Sequence, residues 1–201
     1  MANIKRRAFL DWDYWGKPVP PFGDPHARVL IIGLAPAAHG GNRTGRMFTG
    51  DRSGDFLYRA LFQTGFASQA ESVSRDDGLT LTGVYITAAA RCAPPDNKPT
   101  PAEFANCRRF LERELDLLKQ LRVVVALGKL AFDAYLGILR DRGVIRSRAA
   151  FVFGHDREHT IAGAPVLISS YHPSQQNTST GKLTASMLRD VFEHARILAQ
   201  P

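Results

Sequence analysis

Arg28-Val29-Leu30-Ile31-Ile32-Gly33-Leu34 decides the fold. The run is apolar without a break from Val29 to Ile32 and then meets Gly33. A strand with one wet face alternates apolar and polar residues, whereas a continuous run reads as a strand buried on both faces, as in parallel sheets. Parallel neighbours need crossovers, usually helical, so the flanking sequence should alternate strands with helices.

It does. Residues 82–88 give a second strand, which ends in the loop RCAPPDNKP. Residues 123–127 give a third and 165–169 the last core strand, with a short extra strand expected at 151–153. A helix capped by Ser53 or Asp55 should run to about residue 63. Thr100, with Pro101 next and Glu103 three residues on, has the capping-box pattern of a helix reaching about residue 120. Further helices are expected from Gly128 to about residue 139 and over 183–199. The arrangement predicts a three-layer α/β/α sandwich around a central, mostly parallel, four-stranded sheet. The chain of 201 residues fits a single domain over 1–201, of which 1–27 is an N-terminal segment and a Pro-rich lead-in loop, GKPVPPFGDPHA.

Composition narrows the class. Hydrophobic residues at 44% and charged residues at 22% are ordinary for a globular chain, which excludes collagen-like, coiled-coil and wholly disordered readings. The longest apolar runs are strand-sized, so no membrane partner is expected. The basic start, MANIKRRAFLDWDYW, lacks the apolar stretch of a secretory signal. Two cysteines are too few for a disulfide scaffold and suit a reducing, cytoplasmic setting. The net charge is +7, and 20 of the 26 basic residues are arginine. Arginine forks phosphate and stacks on bases, so the balance favours nucleic acid, although a basic but otherwise ordinary enzyme would look the same.

In an open α/β sheet, ligands bind outside the carboxyl ends of the strands. The loops there span 33–51, 88–99, 128–130 and 170–182. The first is neither a P-loop nor a GxGxxG fingerprint. Its small residues still imply a close approach to backbone, by a ligand or within a tight turn. Phe48 is a candidate base-stacking platform, or packs beneath the loop. Asp51 either positions a water or caps the next helix, and His39 reads as a loop hydrogen-bonder. In the last loop, Pro173 holds His172 extended, so that its imidazole can leave the strand end.

Three stretches then carry a resemblance: GLAPAAHGGNRTGRMFTGD, YITAAARCAPPDNKPTP and SSYHPSQQNTSTGKLT. In order and spacing they resemble the signatures of the family 5 (type B) uracil-DNA glycosylases, close to the iron–sulfur family 4 enzymes, over residues 6–195. The resemblance implies a DNA-repair hydrolase that flips uracil, and other deaminated bases such as hypoxanthine, out of double-stranded DNA and releases the base to leave an abasic site. It extends to single-stranded DNA as a partner, a monomer, and a nucleoid-associated cytoplasmic location.

Residue by residue, it implies that Gly33, Leu34, Ala35, Pro36 and Ala37 hold the attacking water near the sugar. Phe48 would stack on the flipped base. His172 would donate to the uracil O2. Asn97 and Ser174 would lie against the substrate. Pro173, Gln175 and Asn177 would enter the minor groove, and Arg43, Arg46, Lys98 and Lys182 would meet phosphates.

Where much of the superfamily carries an acidic or amide residue, this chain has Leu34 and Ala35, which leaves Asp51 as the substitute near the water. Where family 4 reads uracil with Asn, this chain has Ala88, implying looser base selection. Cys92 and Cys107 match two of the four thiolates that hold a 4Fe–4S cluster in the family. The other two would come from an upstream cysteine-bearing helix that this sequence lacks. A non-catalytic lesion-binding module and a flavodoxin-like nucleotide-binding enzyme remain the rival readings.

Overall fold

The computed structural model describes residues 5–200. In chain order the elements are β1 (Phe22–Gly23), β2 (Val29–Gly33), α1 (Gly41–Thr44), α2 (Arg52–Gln63), β3 (Val84–Ala88), α3 (Pro101–Leu117), β4 (Val123–Leu127), α4 (Lys129–Asp141), β5 (Arg157–His159), β6 (Val166–Ser170), α5 (Gln175–Ser179) and α6 (Ala185–Leu198).

The sheet has six strands in the order β1-β3-β2-β4-β6-β5. Its centre is the expected set of four parallel strands, with Ile31 level with Ile86 on one side and Val125 on the other. Two short antiparallel strands extend it beyond four. One comes from the lead-in loop, where Phe22 pairs with Ile86. The extra strand near the C-terminus lies at Arg157–His159 rather than at 151–153. Phe151 and Phe153 pack instead against the apolar layer under α4, with Phe153 edge-on to Phe132 at 5.7 Å.

Both faces of the central strands are covered, which is why their sequences are apolar throughout. Val29 and Ile31 face α2 and α6 and meet Leu57, Leu61, Val191 and Phe192. Leu30 and Ile32 face the other way, towards α3 and α4, and meet Leu111, Phe132 and Leu136. Each such side chain withdrawn from water contributes about 1.5–3 kcal/mol, so this double layer dominates the stabilisation.

Local chemistry fixes the helix starts. Thr100 and Glu103 form the reciprocal box, with the Glu103 N–H on Thr100 Oγ1 at 3.2 Å and the Thr100 N–H on Glu103 Oε2 at 2.6 Å. The cap of α2 is neither Ser53 nor Asp55 but Asp51, whose Oδ1 accepts the N–H groups of Ser53 at 2.9 Å and Gly54 at 3.1 Å. No described helix is long and apolar enough to cross a membrane.

Candidate active site

The loops after β2, β3 and β6 converge at the carboxyl edge of the sheet around a cavity of about 480 Å³. Leu34, Ala35, Pro36 and Ala37 form one wall. Phe48, Asp51, Ala88, Asn97, His172, Ser174 and Gln175 complete the set expected from the sequence. Gly33 lies beneath the Phe48 ring, since a Cβ there would fall 2.7 Å from the ring carbons. Met47, Ser53 and Gln176 also line the cavity. Reading the sequence missed them because their neighbours carried the recognisable pattern.

Phe48 is held in an unusual state. Its φ is +53°, a left-handed conformation that costs a non-glycine residue about 1–3 kcal/mol. Gly54, on the first turn of α2, leaves the room this needs, because any Cβ there would overlap the Phe48 carbonyl. The ring centroid stands 5.9 Å from that of His172, with the planes tilted by 32°.

His172 leaves β6 and packs against Gly128, where a Cβ would sit 3.2 Å from its own. Its carbonyl accepts the Asn177 side-chain amide at 2.8 Å. Among the described residues no side chain hydrogen-bonds its ring, which is partly open to the cavity. Dense surroundings nonetheless push its pKa down to about 4, so the imidazole is neutral near pH 7 and carries one N–H to donate.

Asp51 is both a cap and a cavity residue. Oδ1 is spent on the α2 N–H groups, while Oδ2 lies against Gly40. Burial raises its carboxyl above the ordinary value and outweighs the two N–H groups that pull it down. It stands between the main cavity and a second, more polar one of about 330 Å³, which adds Arg6, His39 and Arg52. His39 is a loop hydrogen-bonder as expected, paired with the Tyr14 hydroxyl at 2.9 Å. A third cleft, of about 350 Å³, lies between α3 and α4 and contains none of these groups.

Several residues expected at DNA are engaged within the protein instead. Arg43 is 5% exposed; it donates to the carbonyls of His39 and Gly50, and its guanidinium lies about 4 Å from the rings of Phe9 and Trp12. Arg46 is 3% exposed and forks the Asp77 carboxylate. A guanidinium so engaged is not available to phosphate. Pro173 is buried beneath its loop, and Asn177 turns its amide inward to His172. Gln175 lines the cavity and is exposed, Lys98 is exposed next to the lining residue Asn97, and Lys182 is exposed 4.8 Å over the Tyr171 ring, one residue before His172.

Cys92 is exposed, and Cys107 accepts the Arg91 N–H through Sγ at 3.4 Å. The two thiols are close enough for Cys107, after burial itself, to raise the Cys92 thiol. A 4Fe–4S cluster requires four ligands, and the sequence holds only these two cysteines. Among the described residues no three His, Cys, Asp or Glu side chains gather around them or elsewhere as a metal site. The residues present therefore do not fit the cluster.

The geometry thus brings an aromatic ring, a neutral imidazole and a part-buried carboxylate to one cavity. The family model described as the uracil DNA glycosylase superfamily matches residues 20–196. The chain belongs to the uracil-DNA glycosylase superfamily. Within it, the chain is 51% identical to a type-5 uracil-DNA glycosylase of Thermus thermophilus over 97% of this chain and 86% of that one. It is 49% identical to a type-5 uracil-DNA glycosylase of Mycobacterium tuberculosis over 99% and 73%. A type-4 uracil-DNA glycosylase of Pyrobaculum aerophilum is 31% identical over 80% and 74%. The greater likeness to the type-5 relatives agrees with the resemblance carried by the three loop motifs.

Proposed function

We propose that this chain hydrolyses the N-glycosidic bond of uracil in DNA, with the cavity at the strand ends as the site of reaction. The observation that carries the reading is the neutral His172 beside Phe48 in the lining of a cavity large enough for a flipped pyrimidine. The type-5 relatives are uracil-DNA glycosylases, which supports the same activity here.

Extracting a base from the stack costs a few kcal/mol. Stacking on Phe48 returns about 1–3 kcal/mol of that. As the C1′–N1 bond breaks, its electron pair moves onto the base and positive charge develops on the sugar. The His172 N–H donates to the uracil O2, where negative charge gathers, a device whose removal costs about 2.7–4 kcal/mol in comparable sites. A water held by Asp51 Oδ2 adds to C1′ from the opposite face, and its proton passes to the carboxylate or to solvent. Leu34 and Ala35 supply no side-chain base, so stabilising the departing anion carries most of the rate.

The base edge is read loosely. Ala88 brings only a methyl to the cavity, and a site without a buried polar reader discriminates weakly between bases. Hypoxanthine is therefore released as well as uracil. Lys98, Lys182 and Gln175 at the rim meet the DNA, with Arg52 beside them.

Duplexes carrying one uracil, incubated with the protein and cleaved by alkali at abasic sites, test the reading. Strand cleavage with free uracil is expected. Tight binding to the uracil duplex without release of base would overturn it in favour of a lesion-binding module.

A further inference from the structure

Arg46 and Asp77 lie 31 positions apart in the chain, yet they form the tightest polar knot beside the cavity. The Arg46 guanidinium donates to Asp77 Oδ1 at 2.8 Å and Oδ2 at 2.6 Å, to Ser72 Oγ at 2.7 Å and to Thr49 Oγ1 at 3.0 Å. Thr49 Oγ1 pairs with Ser72 Oγ at 2.7 Å and reaches the Met47 carbonyl at 3.1 Å, which the buried Tyr58 hydroxyl also donates to at 2.9 Å. Asp77 further collects the N–H groups of Val73, Ser74 and Leu79. Burial alone would raise its carboxyl, but Arg46 and these N–H groups hold it well below the usual carboxylate range. The contacts of Thr49 and the Met47 carbonyl hold the two residues that flank Phe48, the bonds of Asp77 hold the 72–79 loop against them, and Phe48 is the one residue of this turn in a conformation it would not choose.

We propose that Arg46 and Asp77 are positioning residues for base excision. Their buried pair pins the 45–50 turn to the 72–79 loop, and so keeps Phe48 left-handed with its ring over Gly33 and facing His172. The proposal rests on Phe48 being the base platform. Without the clamp the 45–50 turn relaxes, the ring leaves its place, and the flipped base loses its support although every group that touches it is intact.

A double-mutant cycle isolates the claim. Single-turnover uracil release is measured for the parent, Asp77→Asn, Phe48→Ala and the double variant, with melting followed by circular dichroism. Asp77→Asn is expected to slow release about 10-fold in the parent and less than about 2-fold in Phe48→Ala, because its effect travels through the ring. In the same set, 2-aminopurine placed beside the uracil should brighten less with Asp77→Asn than with the parent, since fewer bases stay flipped. A merely structural role would lower the melting temperature and leave both readouts of the folded protein unchanged. Should Asp77→Asn not fold, Ser72→Ala removes one acceptor of the clamp without orphaning a charge. It should show the same non-additivity at about 3-fold. Additive slowing in the double variant, or a parental rate in the single clamp variant, overturns the clamp. A parental rate for Phe48→Ala alone overturns the stacking reading beneath it.

Discussion

Asp51 Oδ2 occupies the space in which a side chain on Gly40 would begin. The backbone of Gly40 has φ −104° and ψ −109°, outside the ordinary wells of L residues, so a side chain there would meet an unfavourable backbone as well as the carboxylate. Gly40→Ala should therefore push the carboxylate off its position. Single-turnover uracil release is expected to fall about 10-fold or more, up to the roughly 10²-fold at which loss of a general base begins. Binding to abasic DNA should hold steady, and Asp51→Asn should make the Gly40→Ala effect vanish. Equal rates for Gly40→Ala and the parent would show that Oδ2 does not touch the water.

Replacing His172 removes the donor to the departing base. His172→Ala should cut single-turnover release by about 10²–10³-fold. Its affinity for abasic product should stay close to the parent's, because no anionic base is left there to be stabilised. Similar losses in both measurements would mean that the side chain only shapes the loop.

The same histidine gives a pH signature. It donates while neutral, and its pKa is pushed down to about 4, so its contribution persists from pH 8 to about 5 and fades as pH falls through about 4. Asp51 acts when ionised, and burial raises its carboxyl, so its limb also lies on the acid side. Asp51→Asn should remove one of the two limbs and keep the other. For stability the sign is set by proton binding. Between about 4 and the ordinary histidine value of about 6.5 the unfolded chain takes up a proton at His172 that the folded chain refuses. Folding stability should therefore drop as pH falls through that window, less steeply in His172→Gln. Denaturant melts at pH 7, 6 and 5 check it.

Salt should separate the rim cations from the buried ones. If Lys98 and Lys182 each meet a phosphate, alanine at either should lower the slope of log affinity against log salt by about one. Arg43→Gln should leave the slope alone and cost about 1–3 kcal/mol of stability, since it leaves the His39 and Gly50 carbonyls without their donor. Titrations at several salt concentrations, beside urea melts, distinguish the two. A slope that drops with Arg43→Gln would contradict its burial.

Base selection should respond to position 88. Ala88→Asn places an amide where the cavity now has a methyl. Hypoxanthine release should fall by more than uracil release, read as a ratio of single-turnover rates on matched duplexes. A parent that leaves hypoxanthine in the duplex would already contradict the open reading of the pocket.

The sheet was legible because its signal is local. Unbroken apolar runs such as Val29–Ile32 follow from burial on both faces, and Thr100 with Glu103 announces a helix within four residues. The site was legible in outline because Gly-rich loops, Phe48 and His172 all fall at strand ends. What stayed hidden depends on partners far along the chain. Nothing near Arg46 indicates that Asp77 will take its guanidinium, nor anything near Arg43 that the rings of Phe9 and Trp12 will both lie against it. A cation count cannot separate arginines that face DNA from those that brace a loop. Asp51 caps α2 through one carboxylate oxygen and also lines the cavity, so its cap reading holds while its place at a water stays a proposal.

The two outermost strands are only two and three residues long, and they lie antiparallel against β3 and β6. A long bare margin on a parallel sheet is a template onto which another chain can add. Phe22 and Gly23 cover that margin at β3, and they come from a stretch punctuated by prolines at 18, 20, 21 and 25, which lack the N–H that would extend pairing. The loop ahead of the first buried strand is therefore expected to oppose edge-to-edge pairing at β3. Shortening it by a few residues would leave the catalytic groups in place yet turn β3 into a growing point for aggregates, visible as light scattering on warming well before the cavity loses its shape.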